Sequence, residues 1–430
     1  MSVTKRSLSQ RSAMPSSNWR ATLGPGLLLA AAAIGVSHLV QATRAGADYG
    51  FGLLWVVLLI NLFKYPFLEF GPRYAAATGE SMLDGYDRLG RWALGIYLVF
   101  TVGTMFAIQA ALALVTANLA IVLTGVHWSP FLWAGITLAL SVAILIRGRY
   151  GILDMTVKWI VMVLAVSTLG AVCAALWHGP IGTWTETPTP SVWSTAGIAF
   201  VIALMGWMPI PIDAAAWHSL WTLERTRQTG RQPTLFQARL DFNVGYIGTA
   251  VLAIGFLTLG ALVMYGSGVS FSNSGPEFAE QLIALYTATL GEWARPIIAL
   301  CALTAMFSTT LTVLDAHPRV CRHITARFSE RMWLADSVVF YRILLITIPA
   351  CSLGVLYGLG SQFTVIIDLA TTLSFLTAPV LAWLNYKLVT GVHVDECYRP
   401  GLALRILSWA GMVFLTGFAI VYAGWRLSGS

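Results

Sequence analysis

Met205-Gly206-Trp207-Met208-Pro209-Ile210-Pro211-Ile212-Asp213 stands inside an apolar stretch that runs over residues 193–221. Prolines at alternate positions remove backbone donors and clash with the preceding turn, so no straight helix passes through this segment. The stretch around it is long enough to cross a bilayer, which takes roughly 20 mainly apolar residues. A break at that depth frees carbonyls and amides, and these are tolerated only where protein buries them or a wet cavity meets them. The segment therefore predicts a discontinuous membrane helix beside a cavity.

A second interruption lies near the N-terminus. Gly24-Pro25-Gly26 opens an Ala/Leu run that breaks at Ile34-Gly35-Val36-Ser37-His38 and resumes to Ala47. Gly35 weakens a helix there, though less than a proline would. The length rule gives about eleven candidate spans, near 23–42, 51–77, 92–124, 131–147, 155–177, 193–221, 240–265, 283–315, 339–358, 364–388 and 403–425. The two broken spans, the first and the sixth, each open a half of five. Paired interruptions of this kind point to an inverted-repeat transporter with its site near the midplane. The expected fold is an all-α membrane protein of about eleven transmembrane helices, a 5+5 inverted repeat with helices 1 and 6 broken. One transmembrane domain covers 1–430, with a tail at 1–22, repeats at 23–177 and 193–388, and an extra helix at 403–425.

The basic residues support the threading. Of the 26 Lys and Arg, all but Arg44, Arg295, Arg426 and Lys64 fall on one side once the spans are crossed in turn. That side carries Arg73, Arg88 and Arg91, then Arg147, Arg149 and Lys158, then Arg225, Arg227, Arg231 and Arg239, and so on to Arg405. Cytoplasmic loops hold this excess, so the expected setting is the inner (cytoplasmic) membrane, multi-pass, with the N-terminus cytoplasmic and the C-terminus outside. The chain is 57% hydrophobic and 10% charged, against about 25% charged in soluble proteins. Its net charge of +7 is topological and faces anionic lipid headgroups. No basic soluble domain is left to bind nucleic acid. The 5 cysteines form no Cys-x-x-Cys pair and read as small apolar residues. The polar first twenty residues or so precede a retained first span, not a cleaved signal. No Ser-His-Asp constellation, His-Glu-x-x-His or Gly-x-Ser-x-Gly motif argues for an enzyme, and no P-loop argues for an ATP-driven pump. The driving force would be the membrane potential or a proton or sodium gradient.

Several segments resemble one transporter family. Gly24-Pro25-Gly26 through Ala45-Gly46-Ala47-Asp48-Tyr49-Gly50-Phe51-Gly52-Leu53-Leu54-Trp55-Val56 resembles the first two spans of the NRAMP divalent-metal transporters. Arg149-Tyr150-Gly151-Ile152-Leu153-Asp154 through Lys158 is similar to the family's fifth-span opening, and Trp217-His218-Ser219 to the close of its sixth-span motif. Ser308-Thr309-Thr310-Leu311-Thr312 is similar to its eighth-span Ser/Thr run. The likeness is strongest over 24–56 and weak after 320. It implies the LeuT-like inverted-repeat fold and secondary metal-ion transport by symport, with no cofactor beyond a transported divalent metal.

The chain departs from the family where the metal would sit. Gly35 stands at the family's first-span Asp, and His38 at its Asn. The sixth-span Met-Pro-His becomes Ile210-Pro211-Ile212, with Asp213 beside it. Candidate substrate-binding positions are Gly35, Val36, Ser37, His38, Pro209, Ile210, Pro211 and Asp213. An imidazole, a carboxylate and freed carbonyls can hold a divalent cation, which makes His38 and Asp213 the candidate metal ligands. Proton-coupling candidates are His38, His218 and Asp368, since His titrates near neutrality when unperturbed and membrane-embedded acids are rarely idle. The alternative is a LeuT-fold carrier of a small organic or anionic solute that no longer moves metal, the solute resting on half-helix N-termini. Lys64, Glu69 and Arg73 on span 2 read as structural or gating, with Glu69 and Arg73 spaced to pair. Asp154 and Lys158 share that spacing. Asp315 is expected at the end of span 8. The partners are the small ion or solute and the surrounding lipids, with the oligomeric state left open.

Overall fold

The computed structural model describes residues 24–148, 150–184, 189–328, 337–360 and 362–427, the side chains of 150–161 excepted. Every regular element among them is helical. Seven helices are long and apolar enough to cross a bilayer, a bent pair makes one more, and three apolar helices are shorter. Span 1 is Pro25–Ala33 (half-helix 1a) with Ser37–Tyr49 (1b). Spans 2 to 5 are Leu54–Thr78, Arg91–Thr124, Pro130–Ile146 and Tyr150–His178. Span 6 is Thr195–Trp207 (6a) with Ala214–Thr229 (6b). Spans 7 to 11 are Leu235–Val263, Arg295–Phe328, Val338–Gly358, Phe363–Thr390 and Leu402–Leu427. The arrangement is the all-helical 5+5 inverted repeat with helices 1 and 6 broken. The tail at 1–22 with Lys5, Arg6, Arg11 and Arg20, the basic residues Arg149, Lys158 and Arg331, and Asp154 fall outside the described side chains.

Local chemistry sets the helix starts. Ser129, Ser194 and Ser337 accept from the amides of Leu132, Gly197 and Phe340 at the heads of spans 4, 6a and 9. Thr234 and Gln237 form a capping box at span 7. Each satisfies a donor that a helix end leaves free. Burial then sorts the spans. In span 3, 83% of the apolar window is buried, against 22% in spans 9 and 11. Span 3 is therefore scaffold interior, and spans 9 and 11 present their apolar faces outward.

Helices in lipid gain little from apolar contact alone and pack closely through small residues. A Cβ on Gly46 of 1b would stand 2.0 Å from Leu257 O of span 7, and one on Gly260 of span 7 would stand 2.2 Å from Thr43 O of 1b. In the second half, a Cβ on Gly71 of span 2 would meet Ala215 O of 6b at 2.3 Å. Span 1 rests on span 7 as span 6 rests on span 2, which is the pairing that an inverted repeat demands.

The eighth span differs from its sequence reading at 283–315. A helix over Gly275–Leu290 ends at Gly291, whose φ of 92° suits glycine, and span 8 proper runs Arg295–Phe328. The apolar run had merged a surface helix with a membrane one. Arg319 and Arg322 lie on its last turns. Asp315 accordingly sits inside the helix, buried, bonded to Arg319 at 2.7 Å and to the Tyr341 hydroxyl. Glu69 and Arg73 pair at 2.8 Å, and Arg239 of span 7 joins them at 3.3 Å.

Candidate functional site

The two breaks meet. Half-helix 1a closes with the amides of Ile34 and Gly35 on Ala30 O and Ala33 O, both at 2.8 Å. The chain then turns by 46° and restarts as a wide π turn over Ser37–Ala42. Such turns are uncommon and gather at functional places. Half-helix 6a stops at Trp207, Met208 is extended, the Met208–Pro209 peptide is cis, and 6b starts at Ala214. Ser37 Oγ lies 2.9 Å from Ala33 O and 3.2 Å from Pro209 O, so one hydroxyl joins both breaks. Around that joint is a cavity of about 30 Å³, lined among others by Val36, Ser37, Pro209, Ile210, Pro211 and Thr309. Every lining residue but Pro211 is buried. The lining is mostly apolar; its side-chain oxygens are the hydroxyls of Ser37 and Thr309, and Thr309 Oγ1 reaches Ala31 O at 3.0 Å.

The sequence candidates fall into distinct roles. Gly35, Val36, Ser37, Pro209, Ile210 and Pro211 are all at the junction. His38 is fully buried, with Nε2 at 2.9 Å from Thr249 O of span 7 and Nδ1 at 2.9 Å from Ala33 O and 2.8 Å from Ser37 Oγ. Its ring meets Phe256 edge-on. Both nitrogens are thus engaged by the protein, and the imidazole ties 1b to span 7 while steering Ser37. Asp213 begins 6b, where the helix end carries positive partial charge. Its Oδ1 is buried with no hydrogen-bond partner, and its backbone carbonyl accepts from Tyr97 at 3.0 Å. No hydrogen bond or ion pair joins His38 to Asp213. Among the described residues no group of three or more His, Cys, Asp and Glu could hold a metal.

The remaining candidates flank the junction. Asp368 of span 10 binds Arg44 Nη1 and Gln41 Nε2 of 1b, each at 2.9 Å. The Arg44 guanidinium lies 4.9 Å over the Phe200 ring of 6a. This cluster floors a vestibule of about 1120 Å³ that Asp48, Tyr49 and Tyr265 also line. His218 of 6b is buried against Phe242 with neither ring nitrogen bonded.

Sequence reading missed two participants, His317 and Asp241, and gave a third, Lys64, only a structural or gating role. His317 of span 8 is buried with both nitrogens unbonded and meets Trp217 edge-on at 5.3 Å. An unsatisfied buried polar group costs about 1–3 kcal/mol, which sets His218 and His317 apart from the apolar side chains around them. Asp241 of span 7 accepts from the amides of Gly24 and Gly26 at 2.9 and 2.6 Å and fixes the head of 1a. Lys64 of span 2 donates to Met205 O and Gly206 O at 2.7 and 2.8 Å and to Ile210 O at 3.3 Å, at the tail of 6a. An ionisable residue inside each span was the available signal; the partners, far off in sequence, were not visible.

A family model described as natural resistance-associated macrophage protein-like (Nramp) matches residues 26–423. An uncharacterized protein of Pasteurella multocida is 37% identical over 415 residues, covering 94% of this chain and 93% of its own. A divalent metal cation transporter MntH of Verminephrobacter eiseniae is 25% identical over 327 residues, covering 73% and 71%. Among solved structures, the Eremococcus coleocola manganese transporter bound to an aromatic bis-isothiourea compound aligns with a TM-score of 0.68 at 16% identity, covering 96% of this chain and 90% of its own. MhsT in complex with L-phenylalanine aligns with a TM-score of 0.58 at 14% identity, covering 93% and 98%. The last two carry the fold alone.

Proposed function

The chain belongs to the Nramp family, and from that premise we propose that it carries a divalent metal cation across the cytoplasmic membrane as a secondary transporter with an altered binding site. The observation that carries this reading is the small cavity of about 30 Å³ at the joint of the two broken helices. A cavity needs about 10–15 Å³ by this measure to hold one water, so the space takes one or a few small species. The space suits an ion stripped of its shell far better than a metabolite.

The donors are oxygens: the hydroxyls of Ser37 and Thr309, carbonyls freed at the two breaks, and Asp213 as the nearby carboxylate. Oxygen sets favour hard cations, so Mg²⁺, Ca²⁺ and Mn²⁺ are the cargo expected before softer ions. His38 positions Ser37. His218 and His317 handle protons on the way to the basic side, which is the cytoplasmic one. Asp368 and Arg44 close the opposite side.

The test is uptake into proteoliposomes under an imposed proton gradient or membrane potential, comparing Mn²⁺, Mg²⁺, Ca²⁺ and small carboxylates. Ser37→Ala with Thr309→Val should lower divalent uptake by about tenfold, which is ~1.4 kcal/mol. A second reading, a small organic or anionic solute, is favoured by the apolar lining. Uptake of a carboxylate, with no divalent ion moved or competing, would establish it and end the metal reading.

A further inference from the structure

We propose that the Lys64 ammonium is a tethered cation filling a monovalent-cation site built by the tail of half-helix 6a. Lys64 is fully buried within span 2. An ammonium has three protons to donate, and here three backbone carbonyls receive them: Met205 O at 2.7 Å, Gly206 O at 2.8 Å and Ile210 O at 3.3 Å. Asp213 lies near enough for its charge to act on Lys64, yet no ion pair forms between them. The cup is therefore purely carbonyl.

The position of the cup is what gives it meaning. The last carbonyls of a helix have no partner within it, and together they form its negative end. In carriers built on broken helices such ends, with unwound carbonyls, coordinate the coupling cation. Here the span-2 side chain reaches in and fills that place permanently. Burying a charge outside an ion pair is expensive, so an ordinary apolar residue would serve a purely structural contact better. A built-in cation would free 6a from any need for a co-bound ion to hold its broken end. This inference does not depend on the cargo of the central cavity.

The experiment is thermal unfolding of the purified full chain in detergent at constant ionic strength, replacing choline chloride by methylammonium, sodium or potassium chloride. The wild type should respond no differently to the four salts. Lys64→Ala should melt lower in choline and regain most of the loss in methylammonium, with sodium or potassium acting in part, because a ligand that binds only the folded state stabilises it. Lys64→Met, which fills the cup with a thioether, should melt low in every salt. An ordinary tether would lose stability on truncation without gaining any preference among cations. Equal response of Lys64→Ala to choline and methylammonium, or an equal rescue of Lys64→Met, overturns the proposal. Should Lys64→Ala be recovered unfolded from choline, folding when solubilised in methylammonium supports it, and an unfolded protein in every salt overturns it.

Discussion

At Gly35 the proposed metal site turns on a missing side chain. A Cβ there would stand 3.2 Å from the Thr309 methyl and hydroxyl, so a larger residue fits only if Thr309 yields by a few tenths of an ångström. Gly35→Asp would return a carboxylate to the first break. It is expected to tighten Mn²⁺ binding, read by calorimetry on the purified chain, by at least about tenfold, or ~1.4 kcal/mol. Unchanged Mn²⁺ affinity in a folded Gly35→Asp protein would remove the junction as the metal site. This position was legible in the sequence because a break and a departure from the family motif coincide there. Lys64 and His317 were not legible in the same way. Their meaning lies in the carbonyls of Met205 and Gly206 and in the Trp217 ring, which only folding brings near.

Half-helices 1a and 1b each have their own latch. Asp241 holds the head of 1a through two amides on the basic side, and Asp368 holds 1b through Arg44 and Gln41 on the other. Hydrogen bonds to a charged group contribute about 1.5–3 kcal/mol each. Asp241→Ala should release 1a and raise the labelling rate of a cysteine placed at Ala33 from the basic side by at least about tenfold, ~1.4 kcal/mol in population. An unaltered rate would show that 1a is held by packing alone. Among elements, the broken pair was readable from Pro209, Pro211 and Gly35. The split of Gly275–Leu290 from span 8 was not, because Ile283, Leu285 and Tyr286 bury on protein as they would in lipid.

For the molecule as a whole, the inverted repeat was legible since its cause, two interrupted spans five apart, is a sequence pattern, and the basic residues alternate with the crossings. The tertiary ties between the halves are another matter. One sits at the basic side, where Ser81 and Asp84 cap a short helix over Met82–Leu89 and Asp84 also binds His323 of span 8 at 2.9 Å and Arg327. Burial would raise the Asp84 carboxyl, but the bonds from His323 and Ser81 outweigh it and hold the group below the usual carboxylate range. A carboxyl lowered on folding adds stability above its unfolded pKa of about 3.9, and that increment fades as the pH falls towards the folded value. The wild-type melting temperature should therefore drop between about pH 5 and 3, and Asp84→Asn should melt lower near neutrality with a shallower acid limb. Parallel acid limbs for the two proteins would dismiss this tie. The small cavity between the breaks has one last implication, an electrical one. With Val36, Ser37, Ile210 and Thr309 all buried around it, the junction is expected to pass no continuous column of water. A planar bilayer crowded with copies should keep its resistance, showing no unitary conductance steps, and flux should level off at a ceiling set by shuttling cycles rather than climb in proportion to voltage.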